Sequence, residues 1–306
     1  MCSCDYDCEN DCCQETLNVF PVVLLILTII WTYYVYVYEM CVRLIESTTK
    51  CAIYLTLFHL LFIPFLIMYF IAMFHRQWLV PEEYQFTSSF YNRLMSARST
   101  TEEYNILYNF VQDNNFLIYT RSKNGSFRYC TECKLLKPDR THHCSTCDAC
   151  VIKMDHHCPW INNCVGFTNY KYFIILVMYA MIFCFFYAST TFEYCLHFCL
   201  NFETSKLRQL NIVLAFFATL ALAVALLALF IYHLRMIFNN ETTVESIHDP
   251  HFEPVPGVSR TTYDKGCVEN FEEQCGWNCC YWFLPVLTAD GNGVEFDIVR
   301  YNLRRT

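Results

Sequence analysis

The 306-residue sequence is short of charge and of glycine. Only 16% of its residues are charged, whereas a soluble domain usually has about a quarter. Its 7 glycines exclude a collagen-like chain or a Gly-rich disordered one. The net charge of −8 argues against nucleic acid as a general partner. Hydrophobic residues make up 55% of the chain, and this composition indicates a membrane protein.

Four apolar stretches are long enough to cross a lipid bilayer, which takes about 20 such residues. They cover residues 20–38, 52–74, 172–194 and 212–237. A large soluble core is the alternative, but the buried helices of soluble proteins seldom stay uncharged over this length. The sequence therefore predicts an α-helical membrane protein with four transmembrane helices.

Lys and Arg are distributed unevenly between the loops, and this distribution predicts the orientation. Eleven of the 21 basic residues lie from Arg76 to Lys171, and six lie from Arg235 onward. Because basic residues favour the cytosolic side, we expect the long loop and both termini in the cytosol. The predicted parts outside the spans are a cytosolic Cys-rich tail (1–19), a cytosolic linker (75–129), a cysteine-rich domain between spans two and three (130–171) and a cytosolic C-terminal region (238–306). Within the linker, the mixed polarity from Thr100 to Phe116 predicts a short helix.

The loop between the second and third spans concentrates cysteine and histidine. Seven cysteines and four histidines lie between Cys130 and Cys164. C-x-x-C occurs at 130/133, 144/147 and 147/150, a spacing that lets two sulfurs bind one ion, and structural zinc takes four such ligands. Disulfides are not expected here because the cytosol is reducing. Two closed zinc sites would use eight of the eleven candidate ligands, so three would remain.

One short stretch suggests that a remaining residue is catalytic. Asp155-His156-His157-Cys158 carries a carboxylate, imidazoles and a thiol in four residues. A histidine could take the thiol proton, a carboxylate could hold the histidine tautomer, and nearby zinc would favour the thiolate. On ligand counting alone, a zinc-stapled membrane scaffold without turnover is an equally good interpretation. A metal transporter is a further alternative, but His59 and Cys184 are nearly the only polar ligands in the spans.

Residues Cys130 to Phe173 closely resemble the cysteine-rich domain of the DHHC family of protein S-acyltransferases, the palmitoyltransferases. The matching sequence is CTECKLLKPDRTHHCSTCDACVIKMDHHCPWINNCVGFTNYKYF. The four-span layout, with this domain between spans two and three, is also similar. Two weaker motifs follow span four: TTVE at 242–245 resembles the family's TTxE motif, and GCVENFEEQCG around Asn270 resembles its C-terminal motif. Cys275 stands where that motif usually has an aromatic residue.

The resemblance implies roles for individual residues. It assigns one structural Zn²⁺ ion to Cys130, Cys133, His143 and Cys150, and the other to Cys144, Cys147, His157 and Cys164. His142, His156 and Cys158 are left over. Cys158 is then the implied nucleophile and His156 its base, oriented by Asp155. Thr243 is implied to contact Asp155, and Asn270 to pack on span three.

The implied activity is two-step transfer of a long-chain fatty acyl group, such as palmitoyl. The group would pass from acyl-CoA to Cys158 and then to a cysteine near the membrane in a cytosolic or membrane-associated substrate protein. Candidate contacts to the CoA phosphates are Lys134, Lys137, Arg140 and Lys153, although charges that merely fix the topology would look the same. Phe183, about halfway along span three, is a candidate wall for the acyl chain, with ordinary helix packing as the alternative. The family suggests the Golgi or another endomembrane, with the plasma membrane as the alternative.

Two further groups of cysteines lie near predicted membrane boundaries. The first group is Cys2, Cys4, Cys8, Cys12 and Cys13 in the N-terminal tail. The second is Cys279 and Cys280, followed by Tyr281-Trp282-Phe283, a stretch suited to the membrane interface. S-acylation is a hypothesis for both groups. For the first group, weak metal binding and a disordered tail with incidental thiols are the alternatives.

Overall fold

The computed structural model describes residues 7–200, 206–286, 288, 289 and 291–302, without the side chains of residues 7–17 and 206–208. Cys2 and Cys4 of the tail therefore lie outside the described residues. The chain forms two compact units. The membrane unit comprises the residues up to Phe74, Cys158–Asn163 and Tyr172–His233, and the second unit comprises His75–His157, Cys164–Lys171 and the residues from Leu234 onward.

Among the described residues, four helical segments are long and apolar enough to cross a membrane: Asn18–Val42, Thr48–Phe74, Tyr170–Leu200 and Gln209–Asn239. The helices that contain them are α1 (Asp7–Tyr34), which continues as a π-helix (Val35–Val42), α2 (Thr48–Phe74), α5 (Tyr170–Leu200) and α6 (Lys206–Asn239). The predicted helical membrane fold is therefore confirmed. Each helix is longer than its predicted span, because helical hydrogen bonding continues past the last apolar residue into polar flanks.

An aromatic cluster fills the interior of the membrane unit. The Phe183 ring of α5 lies 5.2 Å from Phe58, 5.4 Å from Phe62 and 5.7 Å from Phe65 of α2, between ring centroids. Aromatic pairs at this distance add about 0.5–1.5 kcal/mol each beyond their buried area. These contacts favour helix packing as one role of Phe183, and its limit on acyl-chain length stays a prediction.

His59 is bonded within its own helix bundle. Its Nδ1 lies 2.7 Å from the Leu55 carbonyl oxygen, and its Nε2 lies 3.2 Å from the Tyr33 hydroxyl. Both ring nitrogens are thus engaged, which is how a polar side chain is tolerated in an apolar environment. The arrangement does not favour the transporter alternative.

The second unit begins with two capped helices. Thr87 caps α3 (Ser88–Met95), and Ser99 caps α4 (Thr100–Asp113) by accepting the backbone N–H of Glu102. A side-chain oxygen at this position satisfies an N–H group that has no partner within the helix. The helix predicted from Thr100 is therefore confirmed. The buried face of α4, centred on Leu107, packs into a hydrophobic core with Leu136.

Three consecutive β-hairpins follow. Their strands are β2 (Tyr129–Cys130) with β3 (Leu135–Leu136), β4 (His142–Cys144) with β5 (Ala149–Val151), and β6 (His156–Cys158) with β7 (Asn163–Val165). In each hairpin the residue before the second strand has a positive φ: 51° at Lys134, 47° at Asp148 and 44° at Asn162. Asn and Asp adopt this left-handed conformation more readily than other residues with a side chain. Equivalent residues of the three hairpins are 14 positions apart, as Cys130, Cys144 and Cys158 illustrate.

The C-terminal region adds short elements to the same unit. Strand β8 (His251–Phe252) pairs antiparallel with β1 (Thr120–Arg121), and β10 (Val299–Asn302) pairs antiparallel with β9 (Val258–Thr262). Two helices, α7 (Thr243–Ile247) and α8 (Cys267–Cys275), complete the region.

Candidate active site

The first cluster of metal-ligating side chains joins hairpins one and two. It consists of Cys130, Cys133, His143 and Cys150, whose ligand atoms all lie within 4.8 Å of one another. The Nδ1 atom of His143 is 3.6 Å from Cys130 Sγ and 3.4 Å from Cys133 Sγ. Tetrahedral zinc, with Zn–S of about 2.3 Å and Zn–N of about 2.0–2.1 Å, puts sulfur and nitrogen about 3.6 Å apart. The donor set and spacing fit zinc.

The second cluster repeats this geometry between hairpins two and three. It consists of Cys144, Cys147, His157 and Cys164. The Nδ1 atom of His157 is 3.7, 3.4 and 3.7 Å from the sulfurs of Cys144, Cys147 and Cys164, respectively. The sulfurs of Cys147 and Cys164 are 3.5 Å apart, close to the roughly 3.8 Å of two thiolates on one zinc ion. Both clusters could therefore bind zinc, and they are the two ligand sets that the resemblance implied.

The hairpin repeat explains why Cys158 belongs to neither cluster. Each cluster combines the C-x-x-C of one hairpin with a histidine and a cysteine of the next. Cys158 occupies the first C-x-x-C position of hairpin three, but Ile161 stands at the second, and the chain then continues into α5. In hairpin two, Cys147 N donates to Cys144 Sγ at 3.4 Å, whereas Ile161 N donates to the Cys158 carbonyl oxygen at 3.3 Å. The 14-residue period was visible in the sequence, and the sequence interpretation missed it.

A buried carboxylate holds His156. Asp155 is 1% exposed, and its Oδ2 lies 2.6 Å from His156 Nδ1. Thr243 donates its backbone N–H to Asp155 Oδ1 at 2.9 Å and its hydroxyl to Oδ2 at 2.8 Å. A carboxylate on Nδ1 favours the tautomer that leaves Nε2 free of a proton. The arrangement can therefore prepare a general base, and the implied contact of Thr243 with Asp155 is confirmed.

A buried ion pair fixes the helix that carries Thr243. Arg140 donates to both carboxylate oxygens of Glu245, at 2.8 and 2.6 Å, and to the side chain of Asn240 at 2.8 Å. Glu245 and Thr242 also form a capping box at the start of α7. Burial by itself would raise the pKa of Glu245, but the charge and hydrogen bonds of Arg140 hold it below its usual value. Glu245 is thus an anion locked to Arg140, and α7 is held in place.

Cys158 lies in the membrane unit, where its segment is tied to the end of α2. Its side chain is buried. The Tyr69 hydroxyl donates to the Trp160 carbonyl oxygen at 3.0 Å, and Asn163 Nδ2 donates to the carbonyl oxygens of Ala72 and Met73 at 3.1 and 3.3 Å. These bonds satisfy carbonyls at the last turn of α2, which have no helical partner. The loop after Cys158 is therefore anchored at one end of a membrane span.

The four candidate CoA contacts differ in their surroundings. Lys134 is exposed and Lys137 is half-buried. Arg140 is buried in the ion pair described above. Lys153 lies 3.1 Å from Glu273, and burial, followed by the charge of Arg140, lowers its pKa to about 8. The contacts of Arg140 and Lys153 favour a structural role, and CoA binding by all four residues stays a prediction.

The sequence interpretation did not single out a further cation, Arg128. Its guanidinium is buried, which lowers its pKa, and its Nε has no hydrogen-bond partner among the described residues. Burial, followed by the positive charge of Arg128, lowers the pKa of His142 to about 4, and Lys137 contributes in the same direction. Arg128 and Lys137 are therefore two positive charges near a histidine that stays uncharged at neutral pH.

Asn270 connects α8 to the membrane boundary. Its Nδ2 donates to the Phe238 carbonyl oxygen of α6 at 2.7 Å and to Asp264 at 2.6 Å. Its hydrogen bond to a span is thus to the fourth rather than the third. Tyr170, the first residue of α5, lines a small cavity together with Asn270, and the implied packing of Asn270 on span three stays a prediction.

Four apolar membrane helices and two Cys/His clusters define a multi-pass membrane protein with a zinc-binding-capable domain between its second and third spans. Residues 123–250 match the family model of the DHHC palmitoyltransferase. The chain is similar to palmitoyltransferase ZDHHC20 of Homo sapiens, with 36% identity over 288 residues, 93% of this chain and 78% of the relative. It is 35% identical to palmitoyltransferase ZDHHC2 of Danio rerio over 290 residues, covering 95% and 79% of the two chains. It is 32% identical to palmitoyltransferase ZDHHC15 of Rattus norvegicus over 291 residues, covering 95% and 85%.

The chain belongs to the DHHC palmitoyltransferase family. The resemblance seen in the sequence is thereby confirmed, and the protein is a membrane protein S-palmitoyltransferase. A zinc-stapled scaffold without turnover is accordingly disfavoured.

Proposed function

We propose that this palmitoyltransferase forms a thioester between Cys158 and the acyl group of acyl-CoA, and then passes that group to a cysteine of a protein substrate. The observation that carries the proposal is that Cys158, at the first C-x-x-C position of hairpin three, belongs to neither Cys/His cluster. Cys158 lies on the same strand as His156, whose Nδ1 is hydrogen-bonded to Asp155.

Each chemical step exchanges one thioester for another. The Cys158 thiolate forms a C–S bond to the acyl carbonyl carbon, the C–S bond to CoA breaks, and the CoA sulfur takes a proton. His156 accepts the proton of Cys158 and returns it to the leaving thiol. In the second step a substrate thiol attacks the acyl-enzyme and Cys158 leaves. The bond formed resembles the bond broken, so no ATP is needed.

The two Cys/His clusters are proposed to hold structural zinc. When bound, closed zinc sites of this kind supply folding free energy. In this chain His157 precedes Cys158, and Cys164 lies on the paired strand β7. Ligation of His157 and Cys164 would therefore fix hairpin three while leaving the Cys158 thiol unligated.

Phosphate binding is proposed for the cations that are not committed to ion pairs. Lys134 and Lys137 remain candidates, because Arg140 and Lys153 pair with buried carboxylates. The half-buried Arg128 side chain, with its unpartnered Nε among the described residues, supports adding Arg128 to this set. A phosphate oxygen is the natural acceptor for such a donor.

The membrane spans are proposed to receive the acyl chain. Each buried CH₂ is worth about 0.8 kcal/mol, so a palmitoyl chain of ~16 carbons would resist leaving the bilayer by roughly 12 kcal/mol. An enzyme whose nucleophile segment is tied to the end of α2 has no need to extract that chain. The unequal distribution of Lys and Arg supports cytosolic termini, and an endomembrane such as the Golgi is the compartment we propose. The substrates would be proteins with cysteines at the cytosolic membrane surface.

Acyl-CoA labelling of the purified protein tests the proposal. The full-length chain is incubated with an alkyne-bearing palmitoyl-CoA analogue, and the labelled residue is identified by peptide mapping. We expect a hydroxylamine-sensitive label on Cys158 that Cys158→Ser abolishes while the zinc content stays unchanged. A wild-type protein that holds zinc but never acquires this label would contradict the proposal.

A further inference from the structure

An uncharged and aromatic loop follows α8 on the surface of the second unit. The sequence from Gly276 to Ala289 contains no Lys, Arg, Asp or Glu. The side chains of Trp277, Phe283 and Leu284 are 75%, 56% and 47% exposed. Large apolar side chains grouped on a surface mark an interaction site.

The loop is fixed at the point where the third membrane helix begins. Lys171, the second residue of α5, is buried and donates its ammonium group to the carbonyl oxygen of Tyr281 at 2.7 Å and to Thr288 Oγ1 at 2.8 Å. At the start of the loop Gly276 has a φ of 85°, and a Cβ there would lie 2.8 Å from the Cβ of Thr288. The loop is thus closed tightly around Lys171, at the level where α5 enters its apolar segment.

The end of the fourth span is tied to the same loop. Trp282 Nε1 donates to the Gly276 carbonyl oxygen at 2.9 Å. The Trp282 ring packs edge-on against Phe271, with centroids 4.9 Å apart, and Phe271 stacks on Phe238 of α6 at 6.0 Å. Tryptophan and other aromatic residues concentrate at membrane–water interfaces. Contact with the ends of both spans favours the lipid interface as the occupant of this apolar surface.

Two thiols lie on the exposed turn of the loop. Cys279 and Cys280 form a 3-10 turn that Asn278 caps by accepting the backbone N–H of Cys280, and both cysteines are exposed. Cys275 differs, because burial removes it from solvent and raises its pKa to about 11. Cys267 is exposed but lies at the start of the charged helix α8. Cys279 and Cys280 thus combine exposure with an apolar environment.

We propose that residues Gly276–Val286 insert into the bilayer interface and that the enzyme S-acylates its own Cys279 and Cys280 there. This inference rests on the proposed function, because the acyl donor is the thioester on Cys158. The acceptor thiolate forms a C–S bond to the acyl carbonyl carbon, the bond to Cys158 Sγ breaks, and the proton of the acceptor thiol returns to Cys158. One thioester replaces another, so no additional reactant is required.

Peptide mapping of full-length protein in phosphatidylcholine vesicles tests the inference. After incubation with the alkyne-bearing palmitoyl-CoA analogue, we expect hydroxylamine-sensitive label on Cys158 and on the peptide that carries Cys279 and Cys280. The double variant Cys279→Ser/Cys280→Ser should lose the second label and keep the first. The matched control Cys267→Ser should change neither, since that exposed thiol is outside the loop.

The possible outcomes separate this inference from the proposed function. Label on Cys158 alone overturns self-acylation and leaves the proposed function standing, whereas absence of label from Cys158 overturns the proposed function. Label on Cys279 or Cys280 in the Cys158→Ser variant overturns transfer from Cys158, because the acyl group then comes directly from CoA. Replacing Trp277 and Phe283 by Ser should lower the labelling of the loop and leave that of Cys158 unchanged. Unchanged loop labelling would overturn insertion into the interface.

Discussion

Hairpins two and three carry the same tripeptide, His-His-Cys, on equivalent strands, yet their residues differ in surroundings. In hairpin two, His143 and Cys144 both belong to Cys/His clusters, and His142 lies near the cations Arg128 and Lys137. In the tripeptide of hairpin three, only His157 belongs to one of the two Cys/His clusters. His156 is bonded to Asp155, and Cys158 has no C-x-x-C partner. The same three residues on equivalent strands thus have different contacts, because the residues before and after them differ.

The residue before each tripeptide shows the difference most directly. Thr141 in hairpin two is fully buried, and its hydroxyl has no hydrogen-bond partner among the described residues. Asp155 in hairpin three is equally buried but accepts hydrogen bonds from Thr243. Hairpin two thus contributes to both clusters that could bind zinc, and hairpin three adds a polar network that orients a histidine.

The largest effect should come from exchanging the equivalent cysteines one at a time. Cys158→Ser should lower acyl transfer by at least about 10³-fold, because the nucleophile is lost, and should leave zinc content and stability unchanged. Cys144→Ser should instead release the zinc of the second cluster and destabilise the domain. Zinc analysis and acyl-CoA labelling of both variants measure the contrast. Zinc loss from the Cys158 variant would show that Cys158 also supports zinc binding, so that the two cysteines do not have separate roles.

The next effect concerns the residues that precede the tripeptides. Asp155→Asn should lower transfer by about 10²- to 10⁴-fold, because the amide no longer favours the required tautomer of His156. Thr141→Val is the matched control, since it has similar shape and removes a hydroxyl that bonds to no described group. Its activity should stay close to wild type. Equal losses in the two variants, measured as transfer rates at saturating acyl-CoA, would argue against a specific role of Asp155.

The Arg140–Glu245 ion pair, which holds the helix that carries Thr243, can be weakened without changing Asp155, His156 or Thr243. Glu245→Gln leaves the buried Arg140 without its counter-ion and should cost about 3–5 kcal/mol of stability. The pair of Lys265 and Asp297, 3.1 Å apart and outside the membrane spans, supplies the control. Because the Asp297 side chain is 84% exposed, Asp297→Asn should change stability by less than about 1 kcal/mol. Thermal unfolding in detergent measures both changes. Similar unfolding temperatures for the two variants would contradict a stabilising Arg140–Glu245 pair.

The smallest effect is a pH dependence that belongs to hairpin two. The pKa of His142 falls from 6.5 to about 4 on folding, so the unfolded chain binds a proton more readily between these values. Stability should therefore fall as pH decreases through this window, by at most about 2 kcal/mol between pH 6.5 and 5. His142→Gln, which cannot be protonated, should flatten this part of the curve. Unfolding temperatures of both proteins from pH 7 to 5, with zinc retention monitored, test this prediction. Parallel curves for the wild type and the variant would rule out the lowered pKa of His142.

Much of this architecture could be predicted because the determining residues are close in sequence. Uncharged runs predicted the four membrane helices, and the number and spacing of Cys and His predicted two zinc sites. The family resemblance implied which residues form each site. The Arg140–Glu245 pair joins residues 105 positions apart, and no local periodicity reveals such a contact. Lys171 looked like one basic residue among many in the long loop, yet it is buried against the loop after α8. Helix ends were not predictable in the same way, because hydropathy measures the apolar core and not where backbone hydrogen bonds stop.

The position of Cys158 outside both Cys/His clusters has a consequence for inactive forms of this enzyme. Under the proposed function, a chain that lacks the Cys158 thiol would keep its membrane helices, both Cys/His clusters and the surface that recognises its protein substrates. Such a chain would compete with active copies for clients instead of disappearing through misfolding. Loss of Cys144 would have the opposite outcome, because a domain that could not bind zinc at its second cluster would be open to degradation.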